Sequence, residues 1–124
     1  MNVISTTAAP AAIGPYSQAI EANGTVYVSG QLPIDPATGE FAPGGIQAQA
    51  RQSLTNMKNI LAEAGLTMQN VAKVTVLLAD IADFAAVNEV YAEFFSAPFP
   101  ARSAFQVAAL PKGAGVEIEA IAVK

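Results

Sequence analysis

Apolar positions along the chain repeat with two periods, and the switches between them mark its elements. Asn23-Gly24, flanked by apolar alternation, predicts a hairpin with strands over residues 18–22 and 25–30. In the second of these, Val26 and Val28 share one face while Tyr27 and Ser29 share the other. Pro36, Gly39, Pro43 and Gly44-Gly45 break the chain into a long turn region over residues 35–45. From 46 to 64, apolar residues at 46, 50, 54, 57, 61 and 64 step by four or three, which predicts a helix stopped by Gly65. Residues 70–78 alternate again, with Ala72, Val74, Val76 and Leu78 on one face and Lys73 and Thr75 on the other. Asp83 is the expected N-cap of a second helix over 84–95. Its buried stripe is Phe84, Val87, Tyr91, Phe94 and Phe95, and Pro98 and Pro100 end it. Strands at 101–107 and 116–123, joined by a Pro/Gly loop, close the chain.

The order of elements is β-β-β-α-β-α-β-β, without repeats, linkers or low complexity, and reads as one α+β domain over residues 1–124. Strands joined through helices cross over right-handedly, which puts both helices on one side of a mixed sheet. In the fifth strand Phe105 and Val107 are expected under the helices, so that Arg102, Ala104 and Gln106 point to the free face. In the last strand Val116, Ile118, Ala120 and Ala122 face the helices and Glu117, Glu119, Ile121 and Val123 point away. Arg102 and Glu117 are therefore expected on the same face. Ile121 and Val123 make that face too apolar to stay wet, so a partner subunit is expected to cover it.

Composition sharpens the expectation of self-association. Charged residues are 13% and hydrophobic ones 52%, against roughly 25% charged in an ordinary soluble domain. A chain with so little charge is expected to hide surface against copies of itself. The net charge is −4 and the six cations, at 51, 58, 73, 102, 112 and 124, are scattered. That argues against a phosphate-tracking surface, and no nucleic-acid partner is expected. With neither cysteine nor histidine, disulfides, thiolate nucleophiles, imidazole bases and nearly every zinc or iron site are excluded. The start of the chain lacks the basic and apolar regions of a signal peptide and no apolar run reaches a membrane span, so a cytoplasmic, membrane-free location is expected.

Against this neutral background, charge inside apolar strands stands out, because it is costly without a partner. Arg102 is one of only two arginines, and Glu117 and Glu119 interrupt the last strand. A guanidinium suits a small carboxylate, its planar fork making two parallel charge-assisted hydrogen bonds. The competing reading is an Arg102–Glu117 salt bridge at an interface, and alternation alone does not choose. Glu117 is either that partner or a water-orienting acid/base; Glu119 is the one expected to be solvated. Tyr16, in the Gly14-Pro15-Tyr16-Ser17-Gln18 turn, is a pocket hydroxyl or simple packing. Ser29-Gly30 ends a strand, where Gly30 lets a ligand approach the backbone or merely terminates pairing. Asn88 lies one turn from Phe84 and Tyr91, as a pocket amide or a water-bonded rim residue. Lys73 reads as an interface ion-pair residue rather than a catalyst.

Gly14-Pro15-Tyr16-Ser17-Gln18-Ala19, Val28-Ser29-Gly30-Gln31, Gln49-Ala50-Arg51-Gln52-Ser53-Leu54, Val87-Asn88-x-x-Tyr91, Pro100-Ala101-Arg102-Ser103 and Val116-Glu117-Ile118-Glu119-Ala120-Ile121-Ala122 fall in order along nearly the whole chain. Together they resemble the Rid family of reactive-intermediate deaminases, also called YjgF-like, in its imine-deaminating branch. The resemblance implies a chorismate-mutase-like α+β fold assembled as a homotrimer with pockets between subunits. It implies hydrolysis of 2-iminopropanoate, 2-iminobutanoate and enamine tautomers such as 2-aminoacrylate to 2-oxo acids and ammonia, downstream of pyridoxal-phosphate-dependent serine and threonine dehydratases. By position it assigns the carboxylate-binding arginine to Arg102, the pocket glutamate to Glu117, the pocket tyrosine to Tyr16 and the pocket asparagine to Asn88. Relatives often carry cysteine where this chain has Ala104, but the family uses that residue's backbone N–H, which alanine keeps. The loop between Phe95 and Phe99 is shorter than in some relatives. An iminium carbon is already electrophilic, so attack by water calls for neither metal nor cofactor. Two rivals stay open: a non-catalytic sensor of 2-oxo acids or amino acids, and the endoribonuclease or translation-inhibitor activity ascribed to some relatives.

Overall fold

In the computed structural model, which describes residues 1–124, six strands form one sheet in the order β1-β2-β3-β6-β4-β5. The N-terminal strand, to which the sequence pattern assigns no boundaries, is β1 (Asn2–Ile4). It pairs antiparallel with β2 (Ala19–Ala22), which turns into β3 (Thr25–Gln31). Asn23 at φ 52° and Gly24 at φ 79° supply the two left-handed residues a tight hairpin needs. Then come α1 (Ile46–Glu63), β4 (Val71–Leu78), α2 (Phe84–Phe94), β5 (Ala101–Gln106) and β6 (Val116–Val123). β6 lies antiparallel between β3 and β4, and β5 runs parallel to β4 at the sheet edge. This is the expected α+β architecture, two helices packed on a mixed sheet. No helix is long and apolar enough to cross a membrane.

Helix α1 buries Ala50, Leu54, Met57, Ile60 and Leu61 along one stripe. Gly65, at φ 77°, closes it: its N–H donates to the Ala62 carbonyl at 2.9 Å and that of Leu66 to the Leu61 carbonyl at 2.9 Å, the reciprocal C-terminal motif of helices ending in glycine. The stripe meets Val26, Val28, Val74, Val76, Leu78, Val116, Ile118 and Ala122 from the sheet, and Val87, Val90 and Tyr91 from α2, in one core.

Three expectations need correction. Asp83 adopts helical dihedrals and makes no side-chain cap; a short 3₁₀ turn over Ile81–Asp83 leads into α2, and Asp80 accepts the N–H of Ala82 instead. Ala72 is exposed and Val71 buried, because the β4–β6 register shifts between Val71 and Lys73 and leaves Ala72 in a bulge. The third correction concerns the site. In β5, Arg102 pairs with Val74, Ala104 with Val76 and Gln106 with Leu78, all three partners buried beneath the helices. Neighbouring residues in register share a face, so Arg102, Ala104 and Gln106 lie on the helix side. The Oε1 of Gln106 accepts the N–H of Ile81, at the foot of α2, at 2.9 Å. Phe105 turns to the opposite face. Alternation says which residues share a face but not which layer they meet, and at an edge strand the largest apolar side chain is a poor guide to that layer.

Glu117, Glu119, Ile121 and Val123 face away from the helices, as β6 predicts, so Arg102 and Glu117 lie on opposite faces. The uncovered face is strongly apolar: Tyr27 is 49%, Phe105 47% and Val123 47% exposed, interleaved with Lys73, Thr75, Ser103 and Ile121. Lys73 donates to the hydroxyl of Ser103 at 3.1 Å there.

Candidate active site

The residues singled out from sequence fall into two groups. The first surrounds Glu117, in a cleft of about 500 Å³ that also takes in Tyr16, Ser29, Gly30, Gln31 and Lys112. Between the pairs Val28–Ala120 and Gln31–Ile118, Ser29 and Gly30 together oppose Glu119, which is a β-bulge. It brings the Gly30 backbone against the Glu117 side chain. A Cβ at position 30 would lie 2.8 Å from Oε2 and 2.9 Å from Cδ of Glu117. Burial raises the Glu117 carboxyl above its ordinary pKa, and the nearby Glu119 carboxylate raises it further. Glu119 itself is exposed, as expected.

The walls of this cleft are irregular backbone fastened by buried amides. The Nε2 of Gln18 donates to the carbonyls of Thr6 at 3.0 Å and Pro10 at 2.7 Å, and its Oε1 accepts the Thr6 N–H at 2.7 Å. Across the cleft, Asn56 donates from α1 to the carbonyls of Ile34 at 2.9 Å and Leu32 at 3.3 Å. Ser29 joins the walls: its hydroxyl donates to the Ser17 carbonyl at 2.6 Å and its N–H to the Gln18 carbonyl at 2.9 Å. The Ser29 hydroxyl proton is thus committed to holding the turn that carries Tyr16. Tyr16 itself is exposed at the cleft, its N–H on the Gly14 carbonyl at 2.9 Å. Sequence reasoning missed Gln18 and Asn56, buried carboxamides that the apolar pattern does not single out.

The second group lies on α2 and the edge of β5. Phe84, Asn88 and Tyr91 step by four and three, and so share a helix face. The Arg102 guanidinium lies over both rings, 5.2 Å from the Phe84 centroid and 4.6 Å from that of Tyr91. Its Nη1 donates to the Oδ1 of Asn88 at 2.7 Å. The group is flattened and oriented, with its remaining donors turned to a concavity of about 370 Å³ lined by Asn88, Tyr91, Phe99 and Pro100. Burial raises the phenol pKa of Tyr91, partly opposed by the Arg102 charge, and the Tyr91 hydroxyl has no hydrogen-bond partner. Val107 N–H donates to the Leu78 carbonyl. Alternation therefore aims the N–H groups of Arg102, Ala104 and Gln106 outward along the open edge of β5.

One chain thus carries an acid cleft without an arginine and an arginine cradle without an acid. No carboxylate lies within ion-pair distance of Arg102, and the rival reading of an Arg102–Glu117 salt bridge is not realised within a chain; the ion pairs are Arg51–Glu93 and Lys124–Glu21.

The acid cleft gives one direct test. Gly30 has no positive φ, so alanine is tolerated by the backbone there and its methyl displaces the Glu117 carboxylate. Gly30→Ala is expected to lower kcat/KM at least 10-fold for a reaction in which Glu117 acts on the substrate, because small misplacements of a reacting group are costly, with Tm kept within about 3 °C. Steady-state kinetics beside thermal melts check it; a collapsed Tm with normal kinetics would make Gly30 structural only.

The family model described as Endoribonuclease L-PSP matches residues 6–124. Among curated proteins, the chain is 62% identical to the 2-iminobutanoate/2-iminopropanoate deaminase of Capra hircus, over 99% of this chain and 90% of that one. Among solved structures it superposes on RidA from an Antarctic Psychrobacter with a TM-score of 0.96 at 50% identity, covering 100% of both chains. It also superposes on E. coli TdcF with bound serine, at a TM-score of 0.96 and 49% identity over 100% of this chain and 99% of that one. With the family model spanning all but the first five residues and both fold and sequence in agreement, the chain belongs to the Rid (YjgF) family.

Proposed function

We propose that this protein hydrolyses 2-iminopropanoate, 2-iminobutanoate and their enamine tautomers, 2-aminoacrylate among them, to 2-oxo acids and ammonia, as a homotrimer whose sites lie between copies. The observation that carries the reading is the split of the site. Arg102 with the outward N–H of Ala104 forms one half, Glu117 with Tyr16 and Gly30 the other, and they sit on opposite faces of one sheet. A second copy laid along the open β5 edge and apolar face unites them, and it removes Tyr27, Phe105 and Val123 from water. The deaminase name of relatives as similar as 62%, and the serine bound by TdcF, support a small amino-acid-like carboxylate as ligand.

In this reading Arg102 grips the substrate carboxylate through N–H donors that Asn88 leaves free, held flat by Phe84 and Tyr91 and aimed by Asn88. The Ala104 N–H supplements it. Glu117 accepts a proton from water as the oxygen attacks the iminium carbon, giving a tetrahedral amino-alcohol. It then returns that proton to nitrogen; the C–N bond breaks to release ammonia as Glu117 takes the hydroxyl proton and the C=O forms, and the ammonia carries that proton away as ammonium while the 2-oxo acid leaves. Tyr16 and the backbone at Gly30 hold the imine end. An enamine enters this route after protonation at its terminal carbon. Dehydratases that use pyridoxal phosphate on serine and threonine release such substrates, and are the enzymes this protein would follow.

A coupled assay tests this. A dehydratase generates the imine, and keto-acid release is timed with and without the protein; acceleration well beyond spontaneous hydrolysis is expected. Stoichiometric binding of 2-oxobutanoate without acceleration would instead select a sensor.

A further inference from the structure

The loop between β5 and β6 carries a lysine in a backbone conformation that lysine disfavours. Gly113 N–H bonds to the Leu110 carbonyl at 3.3 Å, closing a turn with Pro111 and Lys112 at its centre. Lys112 sits at φ 57°, ψ 20°, the left-handed position that glycine or asparagine takes in a turn opened by proline. The next residue, Gly113, is also left-handed at φ 71°, so two consecutive positions take this conformation and only the second is glycine. Local rules broken without local compensation tend to mark functional positions. The side chain that this strain retains lines the Glu117 cleft, beside Tyr16 and Gly30. Lys112 is in neither ion pair of the chain, and it is the one cation among the residues lining that cleft.

We infer that Lys112 is the electrostatic guide of the acid cleft, drawing the anionic substrate past the carboxylates to the site where Arg102 of a neighbouring copy takes over. This rests on the deaminase reading and adds a recognition residue to it. A chain of net charge −4, with Glu117 lining its cleft and Glu119 close enough to raise the Glu117 carboxyl pKa, repels a carboxylate approaching from solvent. A single ammonium on a flexible stem at the rim reverses the local sign, an effect that acts on encounter and fades with salt. Lys112 touches no reacting atom in this scheme. It is a positioning residue for substrate approach, and kcat is indifferent to it.

The test compares Lys112→Gln, Lys112→Arg and Lys112→Gly with wild type across a salt series. At about 20 mM ionic strength, Lys112→Gln is expected to lose about 5-fold in kcat/KM through KM, with kcat kept within 2-fold, and the gap should close by about 0.5 M salt. Lys112→Arg should keep the wild-type value and salt slope. Lys112→Gly should lose as much kcat/KM as the glutamine variant while melting about 2 °C higher, since it releases the turn. Equal kcat/KM for glutamine and lysine at low salt overturns the inference, as does a loss that is the same at every salt concentration. Titration with 2-oxobutanoate reads the same guide without turnover: its affinity should fall more steeply with salt in wild type than in Lys112→Gln, where only the Arg102 contact remains. If wild type binds 2-oxobutanoate in this salt-dependent way yet accelerates no imine hydrolysis, the deaminase reading fails and the role of Lys112 stands.

Discussion

Arg102→Ala is expected to lower kcat/KM about 100-fold, equivalent to about 2.7 kcal/mol, in the range of one to two charge-assisted hydrogen bonds. The fold should be untouched. Arg102 is exposed in the single chain, touches only Asn88 and the rings of Phe84 and Tyr91, and leaves no buried charge behind when removed. Arg102→Lys should recover little, because an ammonium cannot lie flat across two rings while offering a fork to a carboxylate. The split site adds a sharper experiment. Mixed after unfolding and refolding together, Arg102→Ala and Glu117→Gln chains should regain about a quarter of wild-type activity, because one site in four then draws its arginine and its glutamate from intact copies. No regain would put both residues in one copy's site, against their positions on opposite faces. Dissociation of the proposed trimer on Arg102→Ala, with normal kcat/KM in what remains, would return the arginine to an interfacial salt bridge.

The parts of the fold legible in the sequence were those governed by short-range rules. Asn23-Gly24 made its hairpin, the four-and-three spacing from Ile46 made α1, and Gly65 ended it, since each depends on backbone preferences of neighbouring residues. The alternation of β6 was read correctly because the strand is central, with one face sealed by the helices. β5 was inverted because an edge strand in a chain of so apolar a surface has two faces that both accept hydrophobic side chains; Phe105 carried no label saying which. The same ambiguity hid the division of the site. The sequence singled out Arg102 and Glu117 as charge inside apolar strands and Tyr16 and Asn88 as pocket candidates, and family likeness gave them roles, but nothing local placed them in two separate concavities. Least legible were the cleft walls. Residues 6–16 and 32–34 have no periodicity, and their shape depends on Gln18 and Asn56 reaching carbonyls as many as 24 positions away.

Glu117→Gln is expected to cost more than any other change, about 1,000-fold in kcat, within the range for loss of a general acid–base. Glutamine keeps the shape and the contact with Gly30 but takes no proton from water. The pH dependence follows from the raised carboxyl. Attack requires ionised Glu117, so wild-type kcat should fall as pH drops through a pKa above the ordinary carboxylate range, and a copy covering the cleft adds desolvation that moves this limb higher still. Glu119→Gln, which removes the second and smaller cause of the shift, should slide the limb to lower pH while leaving the plateau rate intact. Stability runs the other way. A carboxyl with a raised pKa in the folded state binds its proton more tightly there than when unfolded, so its contribution is present at low pH and lost as pH rises through the folded value. At neutral pH the ionised Glu117 therefore weighs against folding, and Glu117→Gln should melt higher than wild type there while being nearly inactive. A variant that lost stability at neutral pH along with its activity would mean that Glu117 holds the bulge at Ser29-Gly30 in place rather than a water molecule. Gain of stability with loss of turnover is the signature of a charge kept in an unfavourable place for its chemistry.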